Sequence, residues 1–289
     1  MKYYVLYNPY AGNNTSESET KTLSNILTND ELVFIDMTGI ESYSDFFADV
    51  DENAEIIISG GDGTLNRFIN DTDGLNIKNK INYYATGSGN DFLRDIGGNK
   101  GEVINIDKYI CDLPVVEING KSYRVLNGVG YGIDGYCCEV GDEYRKIPGK
   151  KINYTAIAIK GLLFHYKPKN AVVTVDGVRR EFKKVWLAPT MNGRFYGGGM
   201  IPTPKQNRLD PNKKLSVLLY HNAGKLKALI TFPSIFKGEH IKKENMCKVL
   251  TGSEIKVEFD KPSALQIDGE TILGVTEYTM KIKSPVTVK

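Results

Sequence analysis

Two short loops in this sequence combine glycine with aspartate in a spacing that suits phosphate chemistry. The first reads GGDGT (60–64) and follows the apolar run at 56–59, and the second reads GSGND (87–91) and follows the next apolar run. A glycine-rich turn that opens a helix presents backbone N–H groups, and such groups bind anions. An aspartate in that turn should repel an anion, so the carboxylates of Asp62 and Asp91 require a separate explanation.

A metal ion would explain carboxylates beside phosphate donors. A nucleoside triphosphate binds together with Mg²⁺, and carboxylates hold the metal or its waters while N–H groups bind the phosphate oxygens. We therefore expect Asp62 and Asp91 to lie close together and to orient the metal. GGDGT by itself fits an ordinary turn with capping residues equally well. A third loop at the end of the first strand, NPYAG (8–12), favours a ligand site, because chance rarely places three such loops on one edge.

Alternating strands and helices in the first third of the chain position these loops. We predict strands at 3–8, 32–37, 54–59 and 81–86, and helical stretches at 16–29, 41–53, 65–72 and within 87–96. Such alternation indicates βαβ units and a parallel sheet, in which ligands lie beyond the carboxyl ends of the strands. The loops NPYAG, DMTG, GGDGTLN and GSGND all fall at those ends.

From about Leu113 the pattern changes to short strands and hairpin turns. Asn119-Gly120 and Asp176-Gly177 stand between alternating runs, which is a strong hairpin signal. Two helical stretches, 151–166 and 225–236, interrupt this mostly antiparallel half. The fold that we predict is a Rossmann-like α/β domain at 1–119 followed by a β-sandwich domain at 120–278, with 279–289 as a candidate final piece of the first domain.

The composition is that of an ordinary globular protein. The chain has 289 residues, 41% of them hydrophobic and 25% charged, which excludes a disordered or collagen-like chain and favours two domains. The net charge of +2 does not indicate nucleic acid. We expect no transmembrane segment and no signal peptide, since no apolar run is long enough. The four cysteines fit neither a CxxC pair nor a zinc site, so we expect free thiols in a reducing cytoplasm.

Other nucleotide-binding motifs are absent or incomplete. GYGIDG (130–135) has the spacing GxGxxG, but it opens the β-rich half and has no acidic residue about 20 positions later. A Walker A motif and the protein-kinase motif set are both missing from the sequence. A dinucleotide-binding domain, a P-loop enzyme and a protein kinase are therefore not indicated.

The motifs together resemble one family. GGDGTLN, followed by a GxxND-F-xR segment (Gly87, Asn90, Asp91, Phe92 and Arg94), resembles the diacylglycerol kinase catalytic-domain family. This family of lipid kinases includes bacterial soluble diacylglycerol kinases and sphingosine kinases and is distantly related to NAD kinases. NGVGYGIDG (127–135), FYGGGMIPTP (195–204) and LQIDGE (265–270) resemble further segments of the family, so the resemblance spans nearly the whole chain.

The resemblance implies an ATP site in the cleft between the α/β domain and the β-sandwich. The residues that it places at the nucleotide are Asn8, Pro9, Gly12, Thr38, Gly60, Gly61, Asp62, Gly63, Thr64, Leu65, Asn66 and Ser88. Asp62 and Asp91 match the aspartate–water–Mg²⁺ network of the family. The DGE segment, with Asp268 and Glu270, carries the general base. Two residues apart on a strand, both side chains would point the same way, so the choice between them stays open.

One segment departs from the family pattern. Many bacterial members carry L-D-D-G-x-L, which binds a structural Mg²⁺, whereas this chain reads RLDPNKKL (208–215). Asp210 is kept as the candidate metal ligand, but Pro211 and Asn212 replace the second aspartate and the glycine. The structural metal is therefore in question.

The expected activity is that of an ATP- and Mg²⁺-dependent lipid kinase that phosphorylates a hydroxyl of a diacylglycerol-like or long-chain-base lipid. The alternatives are an NAD kinase and a catalytically weak, nucleotide-regulated lipid-binding protein. The partner that we expect is a lipid substrate at the membrane surface, and a homodimer is an assembly that the sequence leaves open. The stretch 225–243 combines Leu226, Leu229, Ile230 and Phe232 with lysines, and it is either a packing helix or a membrane contact.

Overall fold

The computed structural model describes residues 1–11, 16–87, 89–147 and 152–282, and the chain divides into two units, Met1–Asp112 and Leu113–Lys289. The division falls ahead of the predicted boundary at 119, because the hairpin at 115–124 pairs within the second sheet. Residues 279–281 pair with 115–117 in that sheet as well. Residues 283–289 lie outside the described part of the chain.

A five-stranded sheet forms the centre of the first unit. The strands are β1 (Lys2–Tyr7), β2 (Glu31–Asp36), β3 (Glu55–Gly60), β4 (Ile81–Ala85) and β5 (Val103–Asn105), in the order β2-β1-β3-β4-β5. The four predicted strands are present and pair in parallel, while β5 pairs antiparallel to β4. β5 was not predicted, since three residues are too few to show a pattern.

The strand order places two of the predicted loops side by side. From β1 the chain crosses to β2 on one side, and from β3 it crosses to β4 on the other, so the order reverses between β1 and β3. Ligands in open α/β sheets bind at such a switch point, beyond the carboxyl ends of the strands. The loops that follow β1 and β3 are NPYAG and GGDGT. The fold therefore supports the edge of the sheet that the sequence indicates.

The helices of the first unit are short. They are α1 (Ser16–Lys21), α2 (Tyr43–Asp49), α3 (Asp62–Asp71), α4 (Asp91–Asp95) and α5 (Asp107–Ile110), with 3₁₀ turns at Thr22–Asn25 and Met37–Gly39. The predicted helix at 16–29 is α-helical only to Lys21. Thr20 and Thr22 donate their hydroxyls to backbone carbonyls of the preceding turn. Such bonds compete with the helical ladder and explain the early end.

The second unit is an antiparallel β-sheet domain. Its strands are β6 (Val115–Ile118), β7 (Lys121–Arg124), β8 (Gly128–Tyr131), β9 (Lys169–Val175), β10 (Val178–Val185), β11 (Thr190–Met191), β12 (Leu215–Tyr220), β13 (Cys247–Gly252), β14 (Glu254–Ile267) and β15 (Glu270–Lys281). β14 pairs with β9 in its first half and with β8 in its second, and its register against β15 shifts between Glu258 and Ser263. This bend lets the sheet wrap around one core that includes Val129, Val173 and Val257.

The helical parts of the second unit pack on a separate core around Trp186, Leu218 and Ile235. They are α6 (Ile133–Arg145), α7 (Tyr154–Lys160), a π-helical turn (Gly161–His165), α8 (Lys225–Thr231) and 3₁₀ turns at Phe232–Lys237 and Glu239–Lys242. In the described ranges of the chain, the helices are too short or too polar to cross a membrane.

Three two-residue turns connect paired strands of the second unit. The predicted hairpins at Asn119-Gly120 and Asp176-Gly177 are confirmed, and all four residues have positive φ, as such turns require. A third turn of the same kind is Asp268-Gly269, with φ of 47° and 101°, between β14 and β15. The prediction that Asp268 lies on one strand with Glu270 was wrong, because the sequence signal for a turn at Asp-Gly was overlooked there.

Candidate functional site

The carboxylate of Asp62 joins the two glycine-rich loops of the first unit. Its Oδ2 accepts a hydrogen bond from the Asp91 N–H at 2.7 Å, and its Oδ1 accepts one from the Phe92 N–H at 3.1 Å. Asp62 therefore satisfies N–H groups in the first turn of α4. The structure brings Asp62 and Asp91 together, as expected. It also gives the aspartate a role that the sequence did not reveal, which is to hold the second loop against the first.

The two loops touch through glycine backbones. A Cβ at Gly87 would lie 2.6 Å from the Cα of Gly61, and a Cβ at Gly60 would overlap the side chain of Thr64. Real Cβ atoms do not approach other heavy atoms so closely. A side chain at Gly87 would therefore force the two loops apart, and a side chain at Gly60 would displace Thr64 within the first loop. Gly87 is needed for close approach of the two loops.

The N-terminus of α3 presents donors to an open side. The first hydrogen bond of this helix runs from the Leu65 N–H to the Gly61 carbonyl at 3.1 Å. The N–H groups of Asp62, Gly63 and Thr64 precede that ladder. Gly63 is exposed, and among the described residues no atom outside its own local backbone lies within 4 Å of the position that its Cβ would occupy. This is the geometry that binds phosphate at a helix N-terminus.

The negative charge of Asp62 also affects the pKa of Tyr83, which lies next to the loop. The hydroxyl of Tyr83, a buried residue of β4, donates to the Gly60 carbonyl at 3.0 Å. Burial raises the pKa of Tyr83 well above its usual value, and the negative charge of Asp62 adds to the rise. Tyr83 therefore supports the loop as a neutral hydrogen-bond donor.

The other predicted nucleotide residues differ in their surroundings. Asn8, with its neighbour Pro9, and Thr38 lie at the ends of β1 and β2 and form local turns: Asn8 Oδ1 accepts from the Tyr10 N–H at 3.0 Å, and the Thr38 hydroxyl donates to Asp36 Oδ1 at 2.7 Å. Leu65 is fully buried in the core, so only its backbone can reach a ligand.

Two further residues of that set cannot be placed. Gly12 and Ser88 lie outside the described residues. Thr64 and Asn66 are described and are nearly buried, at 6% exposure each. Their side chains therefore pack within the first turns of α3 and have little contact with solvent.

In the second unit, the carboxylate of Asp268 pins the turn between β14 and β15 to the start of β8. Oδ2 accepts from the Leu126 N–H at 2.6 Å, and Oδ1 accepts from the N–H groups of Asn127 and Gly128 at 2.7 and 3.0 Å. The Asp268 N–H donates back to the Gly128 carbonyl at 3.1 Å. The oxygens of Asp268 are thus engaged by backbone donors.

Residues 126–128 also hold residues 192–193 and Arg208, the first residue of the segment RLDPNKKL. Asn192 Nδ2 donates to the Leu126 carbonyl at 2.9 Å, and the N–H groups of Asn192 and Gly193 donate to the Asn127 carbonyl. Arg208 donates to the Leu126 carbonyl at 3.1 Å and to Asn127 Oδ1 at 2.8 Å. Segments that are far apart in the chain therefore converge on this short stretch.

Glu270 differs from Asp268 although only Gly269 separates them. Glu270 is the first residue of β15 and is exposed. Within the described ranges, its carboxylate enters no hydrogen bond or ion pair. The two carboxylates of the DGE segment therefore have different surroundings, one engaged by backbone N–H groups and one open to solvent.

Asp134 is a buried carboxylate that sequence reasoning did not select as a site residue. The Tyr196 hydroxyl donates to Asp134 Oδ2 at 3.2 Å, and a Cβ at Gly130 would overlap that oxygen. Burial raises the pKa of Asp134 to about 7, and hydrogen bonds from the Gly135 backbone, Tyr196 and Gln266 oppose the rise.

Asp134 connects to the DGE segment through Gln266, which also hydrogen-bonds to Asp134. Gln266 Oε1 accepts from the Gly269 N–H at 2.7 Å, next to Glu270. The glycine spacing of GYGIDG was the available signal, because Gly130 leaves the room that Asp134 occupies.

The Asp210 side chain closes a local turn in the loop where the sequence suggested a structural Mg²⁺. Asp210 Oδ1 accepts from the Asn212 N–H at 2.9 Å and closes a local turn. In the described part of the chain, no three His, Cys, Asp or Glu side chains form a group that could hold a metal. The guanidinium of Arg208, two residues earlier, holds this loop to residues 126 and 127. A metal at Asp210 stays a prediction.

Comparison with known families matches both units. The model of the diacylglycerol kinase catalytic domain matches residues 2–117. The model of the YegS C-terminal NAD kinase beta sandwich-like domain matches residues 127–286, which is more than half of the chain.

Individual proteins are similar at modest identity. A Bacillus subtilis (strain 168) protein named "Putative lipid kinase YtlR" is 23% identical over 257 residues, which cover 81% of this chain and 79% of that protein. A diacylglycerol kinase of Mycobacterium tuberculosis (strain ATCC 25618 / H37Rv) is 25% identical over 194 residues, covering 64% of this chain and 61% of that protein. The crystal structure of a diacylglycerol kinase from Bacillus anthracis str. Sterne superposes with a TM-score of 0.62 at 20% identity, covering 97% of this chain and 93% of that one. This last similarity concerns the fold.

Proposed function

Because the chain belongs to the family of kinases that carry a diacylglycerol kinase catalytic domain, we propose that it is an ATP- and Mg²⁺-dependent lipid kinase. Its substrate is a hydroxyl of a diacylglycerol-like or long-chain-base lipid. The observation that carries the proposal is the open N-terminus of α3, held against the second glycine-rich loop by Asp62.

In this proposal the loops of the first unit bind the nucleotide. The N–H groups of the first turn of α3 bind phosphate oxygens, and Asp62 with Asp91 faces the metal that accompanies ATP. Each carboxylate oxygen has two lone pairs. Asp62 can therefore hold the second loop and still accept a hydrogen bond from a water of Mg²⁺.

We assign the general base to Glu270. A base must reach the proton of the lipid hydroxyl with an oxygen that is available to accept it. The Asp268 carboxylate accepts three backbone N–H groups, whereas the Glu270 carboxylate is exposed. Asp268 then positions the turn, and Glu270 takes the proton while the phosphoryl group is transferred.

The proposed activity is tested with radiolabelled ATP and a panel of lipids in mixed micelles, with NAD as a control acceptor. Label in a lipid product supports the proposal, and label in NAD alone would identify an NAD kinase. ATP binding without any transfer would identify a regulated lipid-binding protein.

Asp62→Asn in the same assay should reduce turnover by orders of magnitude while the protein stays folded. Near-normal turnover in that variant would remove Asp62 from the metal network.

The lipid substrate requires contact with a membrane surface, which we propose for α8 and its surroundings. Leu226 and Ile230 are each 68% exposed, whereas Phe232, which the sequence also suggested, is buried in the core. Phe164 on the π-helical turn is 71% exposed, and Lys225 Nζ donates to the neighbouring Leu163 carbonyl at 3.0 Å. Exposed apolar side chains among lysines favour an anionic bilayer.

Vesicle binding tests this surface without turnover. Binding should rise with anionic lipid and weaken with salt, because exposed charges are screened within about 8 Å at physiological ionic strength. Replacing Lys237, Lys242 and Lys243 by Glu should weaken binding and lower activity on bilayer substrate, with activity on a short-chain soluble lipid retained. Unchanged binding to anionic vesicles would move the membrane contact elsewhere.

A further inference from the structure

A pocket of about 270 Å³ opens beside α6 in the second unit. Its walls come from α6, from the start of β9 and from the two strands of the β14–β15 hairpin. That hairpin is irregular here: the register of β14 shifts on both sides of Ser263, and Gly274 on β15 has a φ of 71°. Bulges of this kind re-aim side chains and interrupt pairing, and this one makes room for the pocket.

Lys169 lines the pocket and is partly buried, which is unusual for a lysine. It is half-buried, its Nζ donates to Ser263 Oγ at 3.0 Å, and it stands 4.7 Å from the ring centroid of Tyr166. No carboxylate of the described residues lies within ion-pair distance of its Nζ. Lysine is rarely buried without such a partner. Its positive charge is therefore not neutralised by a direct ion pair.

Burial and neighbouring charges shift the pKa of Lys169. Burial lowers this pKa, the charges of Asp260 and Glu139 oppose that change, and the charge of Lys261 adds to it. An anion placed in the pocket would stabilise the charged ammonium and raise the pKa again.

Ser263 supplies a hydroxyl to the same pocket, and the Tyr166 hydroxyl is buried beside it. The Tyr166 side chain is buried, and its hydroxyl lies near Ser263 but completes no hydrogen bond among the described residues. Burial raises the pKa of Tyr166, so the hydroxyl keeps its proton and can donate. Ser263 accepts from Lys169, so its own proton is available to another acceptor. A buried polar group without a partner in the protein calls for an explanation.

We propose that this pocket is an anion subsite in which Lys169 Nζ and the Ser263 hydroxyl bind one phosphate group, with the Tyr166 hydroxyl buried beside them. A phosphate is acceptor-rich, whereas these three groups are donors. Pro262, Ala264 and Leu273 provide apolar walls beside them. The phosphate can be free or can be the headgroup of a lipid whose first carbons contact those walls.

Glu139 completes the pocket and gives the proposal a sharp control. It is exposed, on the α6 side of the pocket, and its charge opposes binding of an anion. Glu139→Gln should therefore tighten binding of a phosphate, whereas a pocket that only holds water would show no such change.

The test is calorimetric titration of the full chain with inorganic phosphate and with dihexanoyl phosphatidic acid below its micellar concentration. Lys169→Met keeps the apolar stem and removes the charge, and it should weaken binding at this site by roughly tenfold or more. Tyr166→Phe should weaken it several-fold. Lys167→Met, at an exposed neighbouring lysine, is the matched control and should change nothing. Binding to the loops at α3 is common to all variants and cancels in the comparison.

Affinity should also fall as pH rises through the lowered pKa of Lys169, because the neutral amine no longer attracts the anion. Equal affinity for the two probes would identify free phosphate as the ligand, and tighter binding of the lipid would identify a headgroup. The proposal is overturned if the parent and Lys169→Met, both shown by circular dichroism to be folded, bind the probes equally. The titration needs no turnover, so its outcome is independent of the proposed kinase activity.

Discussion

Asp62 and Asp268 both lie in glycine-containing turns, and both use their carboxylates to hold backbone N–H groups of another segment. Asp62 accepts from residues 29 and 30 positions further along the chain. Asp268 accepts from residues 140 to 142 positions earlier. The first contact joins loops that end neighbouring parallel strands, β3 and β4. The second arises because the end of β14 pairs with β8.

Each of these aspartates is a clamp, because its carboxylate holds the N–H groups of another segment. The two clamps differ in which neighbouring groups are available for chemistry. In the first unit we propose that the backbone binds the ligand, through the N–H groups at the start of α3. In the second unit an exposed carboxylate, Glu270, lies next to the clamp, and we propose that this side chain carries out the chemistry. An aspartate in a glycine-rich motif can therefore serve mainly to position a neighbour, and the two regions separate positioning from chemistry.

The largest effect is expected for Glu270→Gln. Removal of the proposed base should lower turnover about 10²- to 10⁴-fold, which is the usual range for general-base catalysis. The free energy of unfolding should change by less than about 0.5 kcal/mol, since the side chain is exposed. Turnover and urea unfolding are measured on the same preparation, with Glu277→Gln at an exposed position of the same strand as control. Full turnover in Glu270→Gln would contradict the division of roles within the DGE segment.

Asp268→Asn should show the opposite balance. The amide has one acceptor oxygen instead of two and carries no charge. The three backbone N–H groups at 126–128 therefore lose one acceptor oxygen and the negative charge. We expect a loss of about 3 kcal/mol in the free energy of unfolding, measured by urea denaturation.

A matched control for this variant is Asp260→Asn. Asp260 accepts two hydrogen bonds from Asn170 at the surface, at 3.1 and 2.9 Å. Its loss should cost less than about 1 kcal/mol, because water can replace the exposed partner. Equal losses in the two variants would show that Asp268 is not a special clamp.

Asp134, which connects through Gln266 to the turn at Asp268, should make the free energy of unfolding depend on pH. Its pKa is raised to about 7 in the folded protein, above the value of about 3.9 for an unfolded aspartate. Between these values the folded state binds more protons than the unfolded state, so stability falls as pH rises from about 4 to 7 and then levels off. One such group contributes at most about 1.4 kcal/mol per pH unit. Asp134→Asn should flatten the profile from denaturant unfolding by that amount, and an unchanged slope would remove Asp134 as its source.

A smaller loss of stability than that of Asp268→Asn is expected for Asp62→Asn. The asparagine oxygen can keep one of the two bonds to the first turn of α4, as a helix cap does, so we expect a loss of about 1 kcal/mol. Hydrogen exchange at the Asp91 and Phe92 amides should rise in this variant and stay unchanged at α3. A loss as large as that of Asp268→Asn would erase the difference between the two clamps.

Local patterns in the sequence determined the four parallel strands, the loops at their carboxyl ends and the turns at Asn119-Gly120 and Asp176-Gly177. Each rests on short-range chemistry: alternation of apolar segments, glycine before a helix, and residues that accept positive φ. These same patterns placed Asp62 near Asp91, because neighbouring parallel strands end at one edge. Three-residue β5 and the early end of α1 escaped the patterns, since pairing and side-chain-to-backbone bonds decide them.

Only the tertiary structure decided which carboxylate is engaged and which is exposed. Asp268 and Glu270 look equivalent in LQIDGE, but the turn between them and the distant N–H groups at 126–128 make them different. The same holds for Leu65, whose place in the core excludes its side chain from a ligand, and for Lys169, which meets Ser263 across 94 positions of chain. The physical reason is that hydrogen bonds and burial depend on which strands pair, and a local pattern carries no record of partners so far away.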